Sequence, residues 1–149
     1  MLIIALYQDT ILTYEFMGPN ENVDAYTFVR FLNNNLWKVI QQKRIRRPII
    51  LMDNARPHNN DVVKDFITER RWERLDHPPY SPDLNPCDSE AIYKIKKPLK
   101  GNRYTTPADL VAATDASIRS INGTKDIKGI YCLPMTWQQV IDVNGDYAV

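Results

Sequence analysis

Three features of the sequence predict an α/β fold: an apolar opening that reads as a β-hairpin, a strand–helix–strand unit between residues 48 and 77, and further helical stretches with recognisable start and stop residues. The 149 residues are one domain's length, and 44% hydrophobic with 25% charged residues is ordinary globular composition. Disordered, collagen-like and coiled-coil classes are excluded on that basis. Lys and Arg total 19 against 18 acids, a net charge of +1, so any nucleic-acid role rests on local patches. The patches on offer are Lys43 to Arg47 and Lys94 to Arg103, and such runs also serve as plain solvated faces. Cys87 and Cys132 have no Cys-x-x-Cys spacing, which argues against a disulfide framework or a zinc site and fits a reducing compartment. The apolar start spans seven residues without a basic flank, and no run approaches the roughly 18 apolar residues of a spanning helix. A soluble, intracellular chain without a membrane partner is expected.

Residues 2 to 7 and 11 to 17 are rich in β-formers and flank Gln8-Asp9-Thr10, a hairpin whose nearly all-apolar first strand belongs inside a larger sheet. From Asp24, the residues Ala25, Phe28, Val29, Leu32, Leu36, Val39 and Ile40 recur at steps of three and four, predicting one helix with one buried stripe. Pro48 to Asp53 reads as a buried strand ending on a carboxylate. Asn60 or Asp61 caps a helix with Val62, Val63, Phe66 and Ile67 on one face, and Trp72 to His77 is the next strand. That compass implies a right-handed parallel crossover, with Asp53 at the strand edge where open α/β sheets hold ligands.

Four prolines between His77 and Asp88 stiffen the loop that follows. Asn85 and Pro86 read as an N-cap and first helical position, putting Asp88 in the first turn of a helix that runs to Lys100 and is closed by Gly101. Thr106-Pro-Ala-Asp109 opens another helix, through Leu110, Ala113, Ser117, Ile118 and Ile121. The tail suggests one short last helix packing Trp137 and Val140.

Two aspartates delivered by a strand end and a helix start suit hard divalent cations, which take oxygen ligands and can clamp a phosphoryl displacement. From spacing alone, the more common use of such residues is humbler: Asp53 caps a turn with Asn54, and Asp88 serves a helix N-terminus.

The stretch Met52-Asp-Asn-Ala-Arg-Pro-His58, followed by Pro78-Pro-Tyr-Ser-Pro-Asp-Leu-Asn-Pro-Cys-Asp88, resembles the mariner branch of the Tc1/mariner DDE/D transposases. The 34 residues from 54 to 87 are the spacing of that branch, which has Asp at the third position where the Tc1 branch usually has Glu. The resemblance continues through Lys96-Lys-Pro-Leu-Lys-Gly101 and Gly129-Ile-Tyr-Cys-Leu-Pro134. It implies a ribonuclease H-like mixed sheet flanked by helices, and DNA cleavage and strand transfer with Mg²⁺ or Mn²⁺. It further implies Asp53 and Asp88 as catalytic metal ligands, DNA and a second transposase chain as partners, and action in the nucleus.

The family's first catalytic Asp lies on a central strand ahead of the one resembling residues 1 to 7, so residues 1–149 are expected to form a partial catalytic domain without that strand. Asp9 sits in the hairpin turn with only the 43 residues from 10 to 52 before Asp53, too few for the family's layout, and Asp24 heads a helix. The expectation is a catalytically incomplete fragment; the alternative is a non-catalytic remnant that binds DNA or pairs with another subunit. Arg56, His58, Lys94, Lys96 and Lys97 are the candidate DNA contacts. For His58 a hydrogen-bonded structural role is the more ordinary one. His77 is the weaker histidine candidate. Trp37, Trp72 and Trp137 are read as core, and the two cysteines as buried thiols.

Overall fold

The predicted crossover is present in the computed structural model, which describes residues 1–144. The strand β3 (Ile49–Leu51), a helix and the strand β4 (Glu73–Leu75) make it, with β3 and β4 parallel in the register Ile49↔Glu73, Ile50↔Arg74 and Leu51↔Leu75. The connecting helix α3 (Asp61–Glu69) starts at Asn60, whose side chain accepts the Val62 N–H at 3.0 Å. Val63, Phe66 and Ile67 are its buried face.

Before this unit come β1 (Leu2–Tyr7) and β2 (Thr10–Phe16), paired across a two-residue turn and therefore antiparallel. Among the described residues the strands form two separate pairs, where a mixed sheet lacking the family's first central strand was expected; β1, expected inside a larger sheet, has β2 as its sole strand neighbour. Of β1 only Ile3 is buried; the rest is half-covered, as a strand with one partner must be. β3 is likewise no buried strand, since Ile49 is 60% exposed.

The long helix is continuous from Ala25 to Gln42, in three pieces: α1 (Ala25–Phe31), a π-helical turn (Leu32–Leu36) and α2 (Trp37–Gln42). Asp24 caps it by accepting the Thr27 N–H. The π turn has a reason in the sequence. Phe28, Leu32, Leu36 and Ile40 follow at steps of four, which in an α-helix would drift about 120° off one face, and one inserted residue removes about 100° of that drift. Asn33, Asn34 and Asn35 are poor helix formers and yield there.

The chain forms two compact units. The first comprises Met1–Ala5 and Leu12–Ser81, and its core gathers Ile3, Met17, Phe28, Phe31, Leu32, Leu36, Ile40, Met52, Val63, Phe66, Ile67 and Trp72. Trp72 packs on Phe66 and Trp37, at 5.5 and 5.8 Å between ring centroids; Trp72 is core as expected, and Trp37 is half-buried against it.

The second unit comprises Leu6–Ile11 and the chain from Pro82 on. Its helix start at Pro86 is as expected, with Asn85 Oδ1 accepting the Cys87 N–H at 3.1 Å. The helix then passes through a π turn (Cys87–Ala91), α4 (Ile92–Lys96) and a 3-10 turn (Lys97–Leu99). Pro98 has no N–H to continue the α pattern, so the last turn tightens, and Gly101 closes it at φ +85°. α5 (Pro107–Thr124) opens with the predicted capping box between Thr106 and Asp109. Leu110, expected inward, is exposed; Thr114 is buried in its place because its hydroxyl donates to the Leu110 carbonyl at 2.8 Å. Ser117 Oγ donates to the Ile95 carbonyl, tying α5 to α4, and Asn122 bonds both the N–H and the carbonyl of Ile11.

α6 (Gly129–Asp142) is longer than the short helix expected, starting five residues before Pro134. Trp137 and Val140 are half-buried, as are Cys87 and Cys132, which form no disulfide. Those four side chains lie nearer the surface than the sequence suggested. Among the described residues no helix is long and apolar enough to cross a membrane.

Candidate metal-binding carboxylates

Asp53 lies two residues beyond β3, where a strand's last position was expected, because Met52 turns into the core and ends the pairing. Its Oδ1 accepts the Ala55 N–H at 3.0 Å, so the turn-capping role read from Asp-Asn is real. The same oxygen lies 2.6 Å from His58 Nδ1. A carboxylate oxygen accepts, so Nδ1 carries the proton. His58 is itself fixed from two sides: its ring lies on Phe28 of α1 at 4.3 Å between centroids, and its carbonyl accepts from Arg74 of β4 at 3.0 Å. Arg74 also donates to Asn59 Oδ1 at 2.7 Å, and Asn54 donates to the His77 carbonyl. The loop after β3 is thus laced to both neighbouring elements. His77 is buried with Nδ1 donating to the Pro78 carbonyl, a structural placement.

Asp88 belongs to the second unit and is exposed at the third position of its helix. Its Oδ2 accepts from Asn85 Nδ2 at 3.0 Å. The orientation of that amide is set by its other end, because Oδ1 already accepts the Cys87 N–H. Asn85 is buried, so the grip is shielded from competing water. Sequence reasoning took Asn85 for a cap only. Its position three residues before an acid, the spacing of a capping box, was the available signal.

Each carboxylate is therefore held through one oxygen, and neither pairs with Lys or Arg among the described residues. Hard oxygen donors left uncommitted to a cation are the chemistry that Mg²⁺ and Mn²⁺ take. Among the described residues no group of three or more His, Cys, Asp or Glu side chains is set to hold a metal. Asp24 is spent on its helix cap, its carboxyl held below the usual range chiefly by the Thr27 N–H, and the Asp9 carbonyl receives the Ile127 N–H.

Of the candidate DNA contacts, Arg56, Lys96 and Lys97 are exposed, whereas His58 is taken up with Asp53. Lys94 is committed: its ammonium lies 2.8 Å from Glu90 Oε1 and 3.3 Å from Asp126 Oδ2, and bonds the Asp126 carbonyl. Hydrogen bonding to Glu90 raises its pKa above the ordinary lysine value. Burial pushes the Glu90 carboxyl up, but hydrogen bonds from Lys94 and from the Lys128 and Gly129 N–H groups outweigh it and hold the carboxyl low. This is a structural clamp.

Residues 2–110 match the family model of the DDE superfamily endonuclease. The chain is 30% identical over 141 residues to human histone-lysine N-methyltransferase SETMAR, covering 92% of this chain and 21% of that protein. It is 29% identical to the mariner Mos1 transposase of Drosophila mauritiana, covering 99% of this chain and 44% of that protein. The chain thus spans less than half the length of either relative. Among solved structures, the catalytic domain of Mos1 mariner transposase superposes with a TM-score of 0.88 at 30% identity, over 98% of this chain and 74% of that one. The Mos1 mariner paired end complex with Mn does so at 0.90 and 29%, over 99% of this chain and 44% of that one. The ribonuclease H-like α/β class expected from the sequence is thereby shown.

Proposed function

The chain belongs to the DDE superfamily of endonucleases, and from that membership we propose that it is the larger part of a mariner-type transposase catalytic core, cutting DNA at element ends and joining the freed 3′ hydroxyl to a target. The observation that carries this reading is the pair Asp53 and Asp88, at the mariner spacing, each with one oxygen held by a side chain close in sequence, His58 or Asn85.

Asp53 and Asp88 are the residues that would hold Mg²⁺ or Mn²⁺. A divalent cation, when bound, supplies stabilisation of the charge that develops on the attacking and leaving oxygens. The chain's own part is to present the two carboxylates without rotational freedom. Exposed Arg56, three residues from Asp53, offers its guanidinium to a phosphate of the DNA. The cation is supported by the Mos1 structures solved with Mg and with Mn, and DNA and a second transposase chain as partners by the Mos1 paired-end complexes. Acting on chromosomal DNA implies the nucleus.

Two carboxylates do not complete the family's set of three: Asp24 spends its carboxylate on the helix cap, and Asp9 lies in the turn between β1 and β2. The 149-residue chain therefore needs a carboxylate from outside these residues. The test is strand cleavage of a mariner-type end in Mn²⁺. The chain joined to an upstream segment carrying the family's first Asp strand nicks the DNA, Asp53→Ala or Asp88→Ala abolishes nicking, and the 149 residues alone give none. Cleavage that survives both substitutions overturns the assignment.

A further inference from the structure

We infer that His58 and Asn85 are carboxylate-positioning residues, each holding one oxygen of Asp53 or Asp88 so that the other oxygen alone is presented to a cation. This rests on the proposed role of the two aspartates and deepens it.

The two arrangements are built differently and reach the same end. At Asp53 a ring N–H at 2.6 Å and the Ala55 N–H at 3.0 Å converge on Oδ1. Two donors on one oxygen fix the torsion of a short side chain that would otherwise rotate freely, since Asp53 is 40% exposed at its side chain. At Asp88 the donor is the Nδ2 of a buried amide whose orientation is locked by the Cys87 N–H. Neither donor is a loose surface group. His58 is packed against the Phe28 ring and pinned at its carbonyl by Arg74; Asn85 is 8% exposed and begins a helix.

The physical consequence is a preference for binding through one oxygen of each carboxylate. A cation that spans both oxygens of Asp53 would have to displace the His58 and Ala55 donors; one that takes Oδ2 alone leaves them in place. Small cations that favour octahedral geometry accept single oxygens, whereas larger ones such as Ca²⁺ often take a carboxylate through both. The positioning also lowers the ordering cost of binding, because the rotamers are already fixed.

The roles of cap, packing and donor can be separated by substitution. Asn85→Ser keeps an N-cap oxygen for the Cys87 N–H but removes the donor to Asp88. His58→Phe keeps the ring on Phe28 but removes the N–H, and His58→Asn returns an N–H donor near the Nδ1 position. The experiment is a Mn²⁺ titration of the ¹⁵N-labelled 149-residue chain, reading paramagnetic broadening of the amides near Asp53 and near Asp88 separately, with the same spectra reporting whether each variant keeps the fold. The wild-type chain broadens at both places, and Asp53→Ala loses the first. His58→Phe weakens Mn²⁺ at Asp53 by about 10- to 100-fold with Asp88 unchanged, His58→Asn restores most of it, and Asn85→Ser weakens Asp88 alone. Ca²⁺ competes poorly with Mn²⁺ in the wild type and better in the two donor-less variants. Wild-type binding that His58→Phe and Asn85→Ser leave untouched overturns the positioning role while the metal reading stands. Absence of broadening at both aspartates in the wild type overturns both.

Discussion

The Glu90 carboxylate caps the helix that begins 39 residues later, accepting the Gly129 N–H through Oε2, and it does so because Gly129 has no side chain to stand in the way. A Cβ built at Gly129 would lie 2.7 Å from Glu90 Oε2 and 2.8 Å from Pro86 Cβ. Alanine is favoured over glycine by up to about 1 kcal/mol in a helix interior. Here the clash wins, because the Pro86 ring is buried and Glu90 can move only by dropping its bonds to Lys94, Lys128 and Gly129. Gly129→Ala is expected to destabilise the chain by about 1–3 kcal/mol in urea unfolding.

The same carboxylate gives the chain a pH signature. The folded pKa of Glu90 is held below its ordinary 4.5, so its contribution to stability is complete above that value and is lost as pH falls through the folded pKa. The difference in unfolding free energy between wild type and Glu90→Gln should be constant near neutrality and shrink in acid below about pH 4.5. An undiminished difference at the acid end would contradict the clamp.

Phe31 carries more of the first unit's core than its place in the sequence suggests. It is 1% exposed and lies against Phe28 at 6.4 Å between ring centroids. Phe31→Ala is expected to cost about 3–5 kcal/mol, measured by thermal or urea unfolding.

DNA binding by the isolated chain should be weak and steeply dependent on salt, because 18 acids nearly balance the 19 Lys and Arg and leave only local basic runs. Exposed Lys96 and Lys97 are each expected to lower the slope of log K against log salt by about 1 when changed to Ala. Lys94→Ala should leave the slope alone and reduce stability, its ammonium being spent on Glu90 and Asp126. A titration in which Lys94 matters as much as its neighbours would contradict that division.

What could be read from the sequence was local. The capping residues Asp24, Asn60 and Thr106 and the helix start at Asn85-Pro86 follow from residues within a turn of one another, the parallel crossover follows from the order of three consecutive elements, and each is present. What could not be read depended on distant partners. Nothing near Lys94 in sequence announces Asp126, and nothing near His58 announces the ring of Phe28 or the guanidinium of Arg74. The opening strand misled for a related reason: an all-apolar run reports what a strand is able to cover, and within the described residues β1 has only β2 beside it. Asp53 was legible as a residue and as a spacing, but the two-residue offset from β3 was set by Met52 entering the core.

Anomalous diffraction from crystals of the 149-residue chain grown in Mn²⁺ tests the central claim most directly, since it locates the cation without relying on turnover. The expected result is manganese density on one oxygen of Asp53 and on one oxygen of Asp88, with His58 and Asn85 still on the other oxygens. Manganese bound elsewhere, with both carboxylates bare of metal, would contradict it.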